Sequence, residues 1–150
     1  MTLKNTILDN VKQAMRERDR QRLGVLRLVT AAIKQKEVDE RIELDDAAVL
    51  VVLDKMVKQR RESLEQYEKA GRDDLAAQER FELEVLQQYM PEPLDEAQLE
   101  ALISDAIKSS GAQSMRDMGP VMAALKNQVQ GRADMKAVSN AVRARLTGQA

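Results

Sequence analysis

The chain has no cysteine and no histidine among its 150 residues. The first absence removes disulfides, thiolate ligands and thiol nucleophiles. The second removes Ser-His-Asp and Cys-His catalysis, and zinc sites built on His or Cys. Di-iron bundle sites built on Glu-x-x-His go with them. Acid–base work would fall to carboxylates, lysines or tyrosines. Aromatic residues make up only 2%, namely Tyr67, Phe81 and Tyr89, too few for a stack of successive bases. Any RNA would therefore be held by shape and phosphate. No apolar run approaches the ~20 residues of a membrane span. The opening MTLKNTILDNVKQAMRERD contains acids and lacks an apolar leader core. No membrane partner is expected, and the chain reads as soluble and cytoplasmic. Gly-rich phosphate loops, dinucleotide fingerprints and metal clusters are missing, so neither a cofactor nor a metal is expected.

Hydrophobic residues reach 43% and charged residues 33%, enough for a core beneath a highly charged surface. The length allows one or two small domains. Strand signals are absent and helical periodicity is everywhere, so the predicted class is all-α. Thr2 can cap a first helix with the stripe Leu3, Ile7, Val11 and Met15. A second helix over about 20–38 turns Leu23, Leu26, Val29 and Ile33 inward. A third starts at Leu44-Asp45-Asp46 and stops before Gly71, with a fully apolar run from Val49 to Leu53. Asp73 or Asp74 caps a fourth that reaches Met90. Pro91-Glu92-Pro93 then breaks helical continuity. The expected organisation is a four-helix N-terminal domain over 1–90, a linker over 91–94, and a three-helix domain over 95–150. In the last domain the inward stripes are Leu99, Leu102, Ile103 and Ala106, then Met118, Val121, Met122, Leu125 and Val129, then Met135, Val138, Val142 and Leu146. Pro120 is acceptable only in a first turn, and Ser114 with Asp117 can cap a preliminary one.

Three charged features stand out. Glu79 and Glu82 fall inside the apolar face of the fourth helix, and Arg60 falls inside the stripe of the third. They read as an ion-pair network between helices, with Arg27 as a further cation; a carboxylate pair for acid–base work is the sharper alternative. The alternation from Arg16 to Arg22 reads as a solvated, salt-bridged face. The third feature is the C-terminal charge balance. Residues 91–107 carry five acids and no base, whereas 108–150 carry seven bases against two acids. Arg132, Lys136, Asn140 and Arg143 share one stripe if helical phase reaches back to Arg132. With Lys126 nearby, and with Gly119 and Gly131 allowing close backbone approach, this is a candidate phosphate-binding face. The plain alternative is an ordinary polar face with two turn glycines.

At these residues the sequence resembles the YqeY proteins, which share their C-terminal part with the tail of GatB, a subunit of the tRNA-dependent amidotransferase. The resemblance rests on Gly119-Pro120-Val121-Met122, Gly131-Arg132-Ala133-Asp134 and Val138-Ser139-Asn140. In the N-terminal part it rests on LGVLRLVTAAIKQKEVD, KQRRESLEQYEKAGRDDLAAQE and LQQYMPEPL. It implies a helical N-terminal domain, a three-helix tail domain and a tail that approaches tRNA. A carbon–nitrogen ligase label with glutamine as amido donor would reach this chain by shared domain, without catalytic residues. The chain departs from the pattern at Pro120, where the family often carries lysine, so a phosphate contact from that side chain is lost. The resulting expectation is a stand-alone, non-enzymatic accessory protein, monomeric, that binds tRNA or another folded RNA. The alternative is a module that docks on an amidotransferase or translation factor through exposed apolar groups such as Met115 and Met118.

Overall fold

In the computed structural model, residues 1–148 are described, and they form seven α-helices with one short 3₁₀ turn. The chain divides into two compact units, the first Met1–Met90 and the second beginning at Pro91. The all-α expectation holds. The C-terminal domain was expected to run to 150, and its last two positions lie outside the described residues.

In the first unit, α1 (Leu3–Glu17) starts where the Thr2 hydroxyl accepts from the Asn5 N–H at 3.1 Å. A two-residue turn leads to α2 (Arg20–Glu40), whose N-cap is Asp19. Asp45 caps α3 (Asp46–Lys69), accepting from the Ala48 N–H at 2.9 Å. Gly71, at φ 69°, then turns the chain into α4 (Asp73–Gln87). The expected aspartate cap is not the one used. Arg72 holds the cap position, and Asp73 and Asp74 sit in the first turn, where carboxylates meet the positive end of the helix. The core joins Ile7 and Ala14 to Leu26, Val29, Leu53, Val57, Val85 and Leu86. Met15 departs from its expected place: it is 52% exposed, and Ala14 takes the buried position near the end of α1.

In the second unit, α5 (Glu96–Ser110) opens with a reciprocal capping box. The Asp95 carboxylate accepts from the Gln98 N–H at 2.7 Å, and the Gln98 side chain accepts from the Asp95 N–H at 3.1 Å. The 3₁₀ turn Met115–Asp117 leads into α6 (Met118–Val129), and Asp134 caps α7 (Met135–Leu146). Pro120 does lie in the first turn of α6, where its missing N–H costs nothing. Ile103, Val121, Leu125, Val129, Val138 and Val142 form a second core, and the expected inward stripes supply it. The Pro91–Leu94 segment belongs to this unit. The Leu94 N–H donates to the Arg132 carbonyl at 2.9 Å.

Candidate nucleic-acid interface

The C-terminal face is built on α7 and the turn before it. Val138 and Val142 are fully buried, which fixes the roll of α7 about its axis. Lys136, Asn140 and Arg143 are thereby left exposed. The Arg143 guanidinium donates to the Asn140 side-chain oxygen at 3.4 Å, so these two share a face one turn apart. Lys126 is exposed in the last turn of α6. Among the described residues, none of Lys126, Lys136 and Arg143 has an acidic partner.

Arg132 departs from the expected stripe. The helix begins only at Met135, so helical phase does not extend back to it. Its Nε donates to the Glu92 carbonyl at 2.9 Å, and its own carbonyl accepts from Leu94. Arg132 thus pins the Pro-containing segment to the turn before α7. It remains half-buried, with the rest of its guanidinium free of hydrogen bonds among the described residues. Gly131 has φ 75°, a left-handed conformation that glycine adopts at lower energy than an L side chain. Gly119 is helical, in the first turn of α6, and a Cβ there would meet nothing within 4 Å. Its open surroundings leave room for an approaching ligand, but its conformation does not demand glycine.

Sequence periodicity missed Arg145 and Lys108. Arg145 lies off the α7 stripe, yet its guanidinium donates to the Ser104 hydroxyl at 2.9 Å. With Lys108, Gly111 and Gln113 it lines a hollow of about 440 Å³ beside the end of α5. The signal available was the pair of bases itself, Lys108 and Arg145; what joins them is the packing of α5 against its neighbours, which no single-helix wheel contains. Of the unit's acids, Asp95, Glu96 and Glu100 are exposed at the start and along the outside of α5, Asp105 lines the hollow with Lys108 and Arg145, and Asp134 caps α7 beside Lys136. Met115 is 39% exposed, whereas Met118 packs against the core.

The second charged group lies in the first unit. Arg60 Nε is 3.3 Å from a Glu82 carboxylate oxygen, and both side chains are largely covered. Burial raises the Glu79 carboxyl above the ordinary glutamate value; the neighbouring Glu82 charge adds to the rise and Arg60 opposes it. The Arg60–Glu82 pair therefore forms, with Glu79 close enough to feel both charges. Arg27 does not join it. Arg27 is exposed and lines a hollow between α1 and α2. Its angular position on α2 was readable, but the element facing it was not.

Comparison with known proteins sets this geometry in a family. The model described as Yqey-like protein matches residues 4–146. This chain belongs to the Yqey-like family. Three similar proteins all carry the name Altered inheritance of mitochondria protein 41, mitochondrial. The protein from Eremothecium gossypii is 40% identical over 82 residues, covering 54% of this chain and 45% of its own length. The one from Vanderwaltozyma polyspora is 29% identical over 117 residues, covering 73% and 63%. The one from Pyrenophora tritici-repentis is 28% identical over 126 residues, covering 83% and 69%. The Yqey-like chain thus spans about half to two thirds of the length of these relatives. Their names overturn the cytoplasmic expectation, since each is called mitochondrial. That expectation rested on hydropathy and composition, and the composition of a folded helical domain carries no address.

Proposed function

We propose that this Yqey-like chain binds folded RNA, tRNA foremost, through the basic face of its C-terminal unit, and performs no chemistry of its own. The observation that carries the reading is the unpaired state of Lys126, Lys136 and Arg143, exposed bases without an ion pair among the described residues. Unpaired, hydrated cations on a rigid helical face offer phosphate a contact without first breaking an internal ion pair. Arg132 adds a guanidinium whose position is fixed by the Glu92 carbonyl, so little side-chain freedom is lost when it meets an anion. Arg145 and Lys108 lie apart from that face, at the hollow beside the end of α5 that Asp105 also lines. The resemblance to the GatB tail supplies tRNA as the first RNA to try. On this reading any part in amidation would fall to a partner amidotransferase.

The test is fluorescence anisotropy of labelled bulk tRNA across a salt series. The reading expects binding that weakens as salt rises, with a log–log slope of roughly −2 to −4 for three or four phosphates neutralised. Flat salt dependence, or no binding at low salt, would reject it. Binding to a translation factor that survives nuclease treatment would then move the function to a protein partner.

A further inference from the structure

The alternation from Arg16 to Arg22 reads in the sequence as a salt-bridged face, and the structure does not bridge it. Glu17 accepts from the Gln13 side chain at 3.1 Å, and Asp19 accepts from the Arg22 N–H at 3.2 Å. The arginines are left without an ion pair among the described residues. Arg18 and Arg20 line a hollow of about 370 Å³ between α1 and α2, over Met15 and Leu23. Arg27 lines this hollow and also the next one, of about 490 Å³, with Leu8, Ala31 and Lys34. The shared residue makes the two hollows one furrow along the α1–α2 hairpin. From Lys4 to Arg18 it runs roughly 20 Å, at 1.5 Å per helical residue.

The furrow has an apolar floor and a basic rim. Leu8 is 39% exposed and Met15 52% exposed, apolar groups left facing water inside a concave surface. Arg18, Arg20, Arg27 and Lys34 are exposed along the rim. The carboxylate that lines it, Glu37, is already engaged: it accepts from Lys4 Nζ at 2.8 Å and from the Leu44 N–H at 2.9 Å. The rim therefore presents net positive charge. Arg18 has φ 57°, a left-handed conformation that glycine adopts at lower energy. The backbone cost falls on a residue whose side chain lines the furrow.

We infer that this furrow docks an amphipathic helix of a partner protein, with an apolar stripe flanked by aspartate or glutamate. A helix of about 14 residues matches its length. Such a helix buries its stripe against Leu8, Met15 and Leu23 while its carboxylates meet guanidinium forks. RNA would satisfy the rim and leave the floor wet, so charge and apolarity together select the peptide.

The experiment uses the full chain and a labelled synthetic peptide of about four helical turns, with leucines spaced i, i+3, i+4, i+7 between glutamates. A scrambled peptide of the same composition controls for charge alone. Anisotropy should show the ordered peptide binding at least about tenfold more tightly than the scrambled one. Arg27→Glu/Lys34→Glu should weaken it by about tenfold or more with an unchanged melting temperature. Amide shifts on binding should centre on Leu8, Met15 and Leu23. Arg18→Gly should keep or raise the melting temperature while weakening the peptide, which separates the side chain's role from folding. Absent binding, equal binding of both peptides, or loss of tRNA binding in Arg27→Glu/Lys34→Glu would overturn the inference. The last result would assign the furrow to RNA.

Discussion

The N-terminal unit ties much of its buried-edge charge to itself, and the C-terminal unit does not. Lys4 and Glu37 meet at 2.8 Å between α1 and α2, and Arg60 and Glu82 at 3.3 Å between α3 and α4. Arg80 and Glu68 add a more exposed pair across the same two helices. Among the described residues from Pro91 onward there is no ion pair, although bases and acids are both plentiful. The two cores are alike in kind, made of Leu, Ile and Val at helical spacing. The difference is thus in what the charges are for. In the first unit ion pairs join helices, although the arginines of 16–22 stay outside them; in the second no such pair forms among the described residues, and Lys126, Lys136 and Arg143 are open to a ligand.

The largest effects should be common to both units. Leu53→Ala and Leu125→Ala each empty a fully buried site, and each should cost ~2–4 kcal/mol in denaturant unfolding. A much smaller loss at Leu125 would break the likeness of the cores. Next comes Arg60→Ala, which leaves Glu79 and Glu82 facing each other without a cation; a loss of roughly 1–3 kcal/mol is expected, because the pair is largely covered but not sealed from water. By contrast, Lys126→Glu/Lys136→Glu/Arg143→Glu should shift stability by less than about 1 kcal/mol, because no internal pair is lost. Gly131→Ala forces an L side chain into φ 75° and should cost ~1–2 kcal/mol, read from thermal melting.

The smallest effect depends on pH. The Glu79 carboxyl titrates above its unfolded value in the folded chain, so the folded state holds the proton more tightly. The stability this provides is complete below the ordinary glutamate range and is lost as pH rises through the raised value. Glu79→Gln should remove that step, making the variant relatively more stable than the parent at neutral pH than at pH near 4. Parallel pH profiles for the two proteins would show that Glu79 feels no such burial.

Much of this fold was legible because caps and periodicity are local. Thr2, Asp45, Asp95 and Asp134 cap the helices they precede, and Val121, Leu125 and Val129 turn inward together. What the sequence hid depends on neighbours. Met15 shares a stripe with Ile7, yet Ala14 is the residue buried near the hairpin turn. Arg27 could be placed on a face of α2 but not opposite a partner. Arg132 looked like the first base of a helical stripe; the helix begins three residues later, and the guanidinium reaches back 40 positions to the Glu92 carbonyl. Helical phase gives an angle, and angles fail where a helix ends.

The most direct measurement compares two charge reversals in one tRNA anisotropy titration at low salt. One is Lys126→Glu/Lys136→Glu/Arg143→Glu, which spares the structural Arg132. The other is Arg18→Glu/Arg27→Glu/Lys34→Glu, equal in charge but confined to the first unit. The account predicts a loss of about 100-fold or more for the first and less than about threefold for the second. Equal losses, or a greater loss in the second, would contradict the claim that the unpaired cations of the C-terminal unit are the ones that hold RNA.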